Sequence, residues 1–563
     1  MLGRVGGRHA GEVHVLLMAS GINSLTQRIL VDLKDEGYNV VASAVTDQSQ
    51  MHEAFEHAKP DLVVAPYLKK AIPEAIWSAC PCLVVHPGVR GDRGPSSLDW
   101  AILDGEDNWG VTVLQANAEF DAGDIWAHRD FRMRTASKSA LYRHEVADAA
   151  SEAVGEALLR FREGNPGPTM LDYTSPEVRG RARPAMKQSD RALDWSASTA
   201  EIMRKLRCSD SSPGTADTIY GEQYYLFGAH EDDYLRGPPG DILGQRHGAI
   251  CRATGDGSVW LERLKSADPG SIKLPASVAL GSRCQLPELS LPATAEITKR
   301  TFRDIHYEEC HQVGYLHFEF YNGAMSTSQC RRLQRAYRWA RQRPTKAIVL
   351  MGGEDLWSNG VDLAAIEAAD DPVAESWSNI NAIDDLVRDI ITTGSHLTFA
   401  AFAGNAGAGG AILGLAADLV YARDGVVLNP HYKTMHLSGS EYWTYLLPRR
   451  VGDQQALDIT EQCRPMSART AERLGMIDAT FAGPLSNFHF ALRAEVEWLT
   501  AGADYDRRLN QKRQQRDQDE ARKPLQMYRD EELAHMQHDF TQTAYHEARH
   551  RFLHKCTAVP APV

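Results

Sequence analysis

Four short β-branched runs, Val13 to Ala19, Asn39 to Val45, Asp61 to Tyr67 and Cys82 to His86, open the chain, with polar loops and helical patterns between them. After the first run, Leu25, Ile29 and Leu33 recur every fourth residue, one face of a helix that Asn23 or Ser24 can cap. Strands alternating with helices at this spacing predict βαβ units, and their crossovers put the strands into one parallel sheet. A sheet of that kind takes ligands at the carboxyl ends of its strands, which is where His86 falls.

That sheet uses only part of the chain. At 563 residues the sequence calls for three or four domains. Turn formers at Gly164 to Pro168 and turn formers with positive charge at Arg179 to Pro184 predict a linker. Beyond it, Ser198 and Glu201 form a capping box ahead of Ile202, Met203 and Leu206. Short strands with Gly and Pro punctuation, including Gly237 to Gly240, then suit a small β-barrel to about Leu289. From Lys299 a third region begins, with a half-buried strand at Leu316, Phe318 and Phe320 and another strand at Ala347 to Met351. The last sixty or so residues are polar and helical in pattern. Arg507 to Lys523 holds seven basic residues against three acidic ones and is expected to be a solvated helix face.

The net charge of −13 repels a phosphate backbone or an anionic lipid surface, so a nucleic-acid partner is not expected. Nine scattered cysteines without a zinc-ribbon spacing predict reduced thiols in a cytoplasmic protein. No apolar h-region follows Arg4 and Arg8, so export is not expected either. Leu397 to Ala417 is uncharged and long enough to span a bilayer, but it is mostly Ala and Gly and contains Asn405, which predicts a close-packed buried helix. His546-Glu547-Ala548-Arg549-His550 has the letters of a zinc-protease helix. His554 lies in line with both histidines on the same helix, and three collinear ligands cannot close a tetrahedron, so no metal is expected.

A stronger constellation lies in the first domain: Val84-Val85-His86-Pro87, then Arg90-Gly91-Asp92-Arg93-Gly94, then Gly110-Val111-Thr112, then Phe120-Asp121-Ala122-Gly123-Asp124. A carboxylate on a later loop can raise the basicity of a histidine at a strand end and hold its charge during proton transfer, which nominates His86 with Asp121. This run resembles the formyltetrahydrofolate-dependent formyltransferases, including the methionyl-tRNA enzymes. The resemblance implies a Rossmann-like domain at 1–185, a small OB-like barrel at 186–295, N10-formyltetrahydrofolate as formyl donor, and His86 and Asp121 as catalytic residues. The family's carbonyl-polarising Asn falls on Val84, which removes one donor.

The third region resembles the crotonase superfamily of enoyl-CoA hydratases and isomerases, on Trp357-Ser-Asn-Gly360-Val361-Asp362-Leu363, on Ala403-Gly404-Asn-Ala-Gly-Ala408-Gly409-Gly410 and on the run Ala456 to Asp478. It implies a crotonase-like α/β domain at 296–500, followed by a helical extension at 501–563. It also implies coenzyme A as ligand, Gly360 and Gly409 at the ligand loop, and oxyanion-hole amides at Val361 and Ala408. The hydratase glutamates are replaced: Ile412 holds the first position, and the second falls near His431 or Tyr432. Tyr432 and Glu441 are the nearby polar candidates, and a Glu in that aromatic setting can carry a raised pKa.

The pairing resembles the HypX/HoxX family of nickel–iron hydrogenase maturation factors, on Asn23-Ser-Leu-Thr-Gln27-Arg28, Gly91 to Ile102, His431 to Met435, Gly439 to Trp443 and Lys523 to Arg529. It implies that a formyl group passes from folate to CoA and leaves as carbon monoxide for the hydrogenase iron, with hydrogenase maturation proteins as possible partners. Asn23, Gln27, Arg28, Arg529 and Arg549 are the remaining candidates for holding cofactor. Three rival readings are a plain formyltransferase to an amine, an acyl-CoA isomerase or hydrolase, and a non-catalytic scaffold.

Overall fold

The computed structural model describes residues 9–164, 167–293, 295 and 297–554. The predicted β-branched runs are the strands His14–Ala19, Asn39–Ala44, Leu62–Ala65 and Cys82–His86, all parallel, in spatial order second, first, third, fourth. Asn108–Gln115 and Ile125–Arg132 extend the sheet antiparallel beyond Cys82–His86. Leu25, Ile29, Leu30 and Leu33 of the helix Ser24–Asp35 pack on one face of the sheet with Ala150, Val154 and Leu158 of Glu145–Glu163. Met51 of Gln48–Ala58 covers the other face. Crossovers on both faces leave the strand ends as the open edge, and His86 stands at one of them.

The segment expected to be a linker does more than connect. Gly180 N–H donates to Arg90 O at 2.9 Å and Arg183 N–H to Arg93 O at 2.9 Å, so residues 179–184 run as a strap along the loop that follows His86. The packing tolerates no side chain there: a Cβ on Gly180 would stand 1.9 Å from Asp92 N. After the strap come the helix Thr199–Arg207, capped by Ser198, and a small antiparallel β domain. Its strands run in the order Thr215–Ile219, Glu222–Asp232, Ser258–Ser266, Ala249–Ala253, Ile242–Arg246, with Leu274–Pro275 paired to the third.

The third core holds two sheets. The larger runs Ile305–Cys310, Val313–Phe318, Ala347–Gly352, Leu397–Phe402, Leu419–Arg423, Ala479–Phe481 and is parallel after its first hairpin. The smaller runs Leu356–Ser358, Asn405–Gly407, Val427–Asn429, Met466–Ser467. The Ala- and Gly-rich segment 397–417 is buried in this core but is not the single helix expected: it is broken into a strand, a short strand and the helix Gly409–Leu413, because its first half pairs into the two sheets. No helix among the described residues is long and apolar enough to cross a membrane.

The C-terminal helices are not a solvated appendage. Leu525, Leu533 and Met536 of Leu525–Asp539, with Phe540 and Tyr545, lie in the same apolar cluster as Leu350, Phe402 and Leu428. The charged helix Tyr505–Arg522 does present the solvated face its pattern predicts, anchored by buried Tyr505 and Leu509 and by Lys512 Nζ 2.6 Å from Asp418. Charge also joins the first and third cores: Asp148 receives Arg28 at 3.1 Å and Arg423 at 2.9 Å.

Candidate active sites

At the end of Cys82–His86 the imidazole of His86 is 4% exposed, and a carboxylate approaches each of its nitrogens. Asp92 Oδ2 lies 2.8 Å from Nε2, and Asp121 Oδ1 lies 3.5 Å from Nδ1. Asp121 is held in place at φ +54° by Gly94 N–H, which donates to its Oδ2 at 3.3 Å. Burial alone would lower the pKa of His86, but the hydrogen bond with Asp92 and the charges of Asp121 and Asp92 outweigh it, and the imidazole ends above its ordinary value. Gly88 gives this pair its room, because a Cβ there would meet His86 Nε2 at 2.5 Å and Asp92 Oδ2 at 2.6 Å.

Sequence reasoning quoted Asp92 but missed its role. Its signal was available: an acid six residues after the histidine, in a loop pinned by Gly88, Gly91 and Gly94. Asn23 caps the helix Ser24–Asp35 by accepting from Thr26 N–H at 2.9 Å, and Gln27 Nε2 donates to Ile22 O at 3.2 Å. Arg28 is correspondingly spent on Asp32 and Asp148 at the seam with the third core, close against Gly425, where its charge is already compensated.

The second constellation surrounds the turn into Gly409–Leu413. Gly360 O accepts from Met325 N–H at 2.8 Å. In a trans peptide the Val361 N–H of that same unit points the opposite way. The expected partner needs correction: Ala408 N–H is committed to Asn429 O at 2.9 Å, as the ladder between Asn405–Gly407 and Val427–Asn429 carries on past its last pair. Ala408 itself sits at φ 45°, ψ −133°, a strained conformation for an L-residue, and turns the chain so that the next amide, of Gly409, opens the helix. Gly409 lies close to the other loop, since a Cβ on Gly360 would meet Gly409 N at 3.2 Å.

Glu441 faces this turn. A Cβ on Gly409 would stand 2.0 Å from Glu441 Oε1, so the carboxyl is seated directly against the glycine. The residue is 3% exposed. Burial first, then the neighbouring carboxyls of Asp384 and Glu532, hold its pKa well above the ordinary carboxylate range. Tyr432 packs alongside through Gly439, and its hydroxyl is buried without a hydrogen-bond partner among the described residues. Burial and then Glu441 keep that phenol protonated. An elevated carboxyl seated against the Gly409 turn, with a protonated phenol near it, can move one proton at a group bound there.

The last two candidate cations are also paired. Arg529 binds Asp385 at 2.6 Å and Asn381 Oδ1 at 3.0 Å. Arg549 binds Glu367 at 2.6 Å but keeps Nη1 buried with no hydrogen-bond partner among the described residues. Glu367 also approaches His550 at 3.2 Å and His554 at 4.0 Å, so a carboxylate from elsewhere in the fold does reach the collinear histidines.

Comparisons with known proteins divide the chain along the same lines. Formyl transferase matches residues 38–158, the C-terminal domain of formyl transferase matches 185–276, and enoyl-CoA hydratase/isomerase matches 319–559. The methionyl-tRNA formyltransferase of Thermotoga neapolitana is 26% identical over 258 residues, 45% of this chain and 80% of that protein. The fold therefore defines a formyltransferase-type domain joined to a crotonase-type domain. The pairing extends through whole relatives. The hydrogenase maturation factor HoxX of Bradyrhizobium diazoefficiens is 45% identical over 557 residues, covering 98% of this chain and 96% of its own. The crystal structure of HypX from Aquifex aeolicus in complex with tetrahydrofolic acid superposes with a TM-score of 0.95 at 40% identity, covering 98% of both chains. The chain belongs to the HypX/HoxX family of hydrogenase maturation factors.

Proposed function

We propose that the protein makes carbon monoxide for the hydrogenase iron from the formyl group of N10-formyltetrahydrofolate, with coenzyme A as intermediate carrier, in the cytoplasm. In the first step the CoA sulfur attacks the formyl carbon, and the bond from that carbon to N10 breaks. His86, steadied by Asp92 and Asp121, takes the thiol proton and returns it to N10, leaving tetrahydrofolate and formyl-CoA. The bound tetrahydrofolic acid of the Aquifex relative supports folate as donor. The crotonase-type domain supports CoA as acceptor.

In the second step the thioester oxygen lies at the amides of Val361 and Gly409. The Glu441 carboxylate removes the formyl proton, the C–S bond breaks, carbon monoxide leaves, and the proton passes from Glu441 to the CoA sulfur. A carboxyl whose pKa is raised is the stronger base once ionised, and Tyr432 supplies a neutral donor beside it. Burial keeps water from hydrolysing the thioester. The single observation behind this reading is the seat of Glu441 against Gly409 in a domain whose hydratase position is Ile412, which offers no group to activate water.

Purified protein given formyltetrahydrofolate and CoA, with haemoglobin as trap, is expected to yield the carbonmonoxy spectrum. His86→Ala should abolish it, and Glu441→Ala should abolish it while formyl-CoA accumulates. A wild-type yield no higher than that of the two variants would sink the reading. A formylated amine formed without CoA would point to a plain formyltransferase, and turnover of enoyl-CoA without folate to an isomerase or hydrolase.

A further inference from the structure

Glu441 and Tyr442 both adopt left-handed backbone, at φ 60° and φ 59°, two consecutive L-residues in a region that favours glycine. Such a kink presents the successive N–H groups of Glu441 and Tyr442 to acceptors outside the local backbone. Two side chains occupy it, from helices far apart in sequence. Asp384 Oδ1, on Pro372–Ile391, accepts from Glu441 N–H at 3.0 Å, and Glu532 Oε2, on Leu525–Asp539, accepts from Tyr442 N–H at 2.9 Å. Ser440 Oγ lies within reach of both, 2.9 Å from Asp384 Oδ2 and 3.3 Å from Glu532 Oε2. Glu532 is anchored further by Thr444 N–H at 2.8 Å. Asp384, Ser440, Glu441 and Glu532 are all buried.

We propose that Asp384 and Glu532 are positioning residues, a two-carboxylate clamp that holds the left-handed kink and so aims the Glu441 carboxyl at the Gly409 turn. Neither touches Gly409 or the oxyanion amides in the contacts described above; both act through Glu441. Glu532 thereby gives the polar C-terminal helices a part in the second site that their sequence does not advertise. This inference rests on the assignment of Glu441 as the proton-moving residue.

The clamp also sets the charge around Glu441. The long helix contributes Asp384 and, further out, Asp385 and Arg388; the C-terminal helix contributes Glu532 and Arg529; the turn at 432 contributes Tyr432; and the helix Thr327–Ala340 contributes the buried thiol of Cys330. Arg529 is the cation near this group, with Nε 3.9 Å from Asp384 and its shorter bond, at 2.6 Å, made to Asp385. Three carboxyls with so little compensating charge cannot all ionise, so the cluster shares protons at neutral pH.

Asp384→Asn keeps an acceptor for Glu441 N–H and removes one charge, whereas Asp384→Leu removes both. The leucine variant and Glu532→Leu should each lose about 100-fold in the rate of carbon monoxide release, the scale of a misaimed catalytic group. Asp384→Asn should recover most of that rate, with the acid limb of its pH profile moved down by about one unit because a like charge has gone. Infrared titration of the protonated carboxyl band in substrate-free protein, with Glu441→Gln to assign the band, should show the same downward move. An Asp384→Asn protein that is folded by circular dichroism but has an unmoved limb and an unmoved band would overturn the clamp. If wild type releases no carbon monoxide while the infrared band still moves, the reaction assignment fails and the clamp stands.

Discussion

The two sites raise the pKa of their central group by opposite means. At His86 two carboxylates attract a proton strongly enough to overcome burial, whereas at Glu441 burial and two like charges act together. The first site is built to accept positive charge and the second to resist negative charge. Under the proposed reaction, His86 would take up a proton and be stabilised as the imidazolium, and Glu441, once ionised, would be a strong, buried base. The lesson is that a perturbed pKa names a task only when its cause is known.

The largest test of this contrast separates the steps. His86→Ala should cut formyl transfer by about 10²- to 10⁴-fold, the usual worth of a positioned acid–base group, measured as loss of formyltetrahydrofolate. Glu441→Gln should leave that loss intact and stop only carbon monoxide. If both variants block folate consumption equally, the two sites are not sequential.

Next comes the join between the β domain and the second site. Arg263 pairs with Asp362 at 3.0 Å, both buried, and Asp362 Oδ1 caps the helix Leu363–Glu367 through Ala364 and Ala365 N–H. Arg263→Met leaves a buried carboxylate unpaired and should cost about 3–5 kcal/mol in urea denaturation. A cost below about 1 kcal/mol, the worth of an exposed pair, would show that water reaches the join.

The pH dependence of stability sharpens the contrast further, with an expected change of about 4 kcal/mol between about pH 6 and about pH 9. Asp384 titrates at about 7 and Glu532 at about 8 in the folded protein, both raised chiefly by burial. Their favourable contribution is complete below the unfolded carboxyl value and is lost as pH rises through about 7 to 8. His86, raised by its partners, has the same sign. Wild type should therefore be less stable at about pH 9 than at about pH 6, and Glu532→Gln should lose less over that interval. A wild type that gains stability toward alkaline pH contradicts the assignment. The smallest expected effect is at the Asn23 cap, where Asn23→Ala should cost about 1 kcal/mol and leave both steps unchanged.

Much of the first core was legible because strand runs and helix faces are periodic, and because His86 stands where a run ends. The crotonase loops were legible from glycines that admit no side chain. That the Ala408 amide is spent on Asn429 was not legible, because it depends on how far a β-ladder extends, which glycine spacing does not encode. Asp384 and Glu532 were invisible for another reason. Each sits on a helix among ordinary charged neighbours, and only the tertiary fold shows that their carboxyls point inward. The strap at 179–184 read as a linker because its bonds go to another loop and leave no periodic trace.

Glu532 also fixes an order of events during synthesis. The strap that completes the surroundings of His86 ends at residue 184, about 350 residues ahead of the clamp's second arm. At roughly 5–20 residues per second, a nascent chain would carry a finished first site for about 17–70 s before the second could assemble. A ribosome stalled between those points would display the His86 site folded while the Glu441 turn still lacked one arm of its clamp.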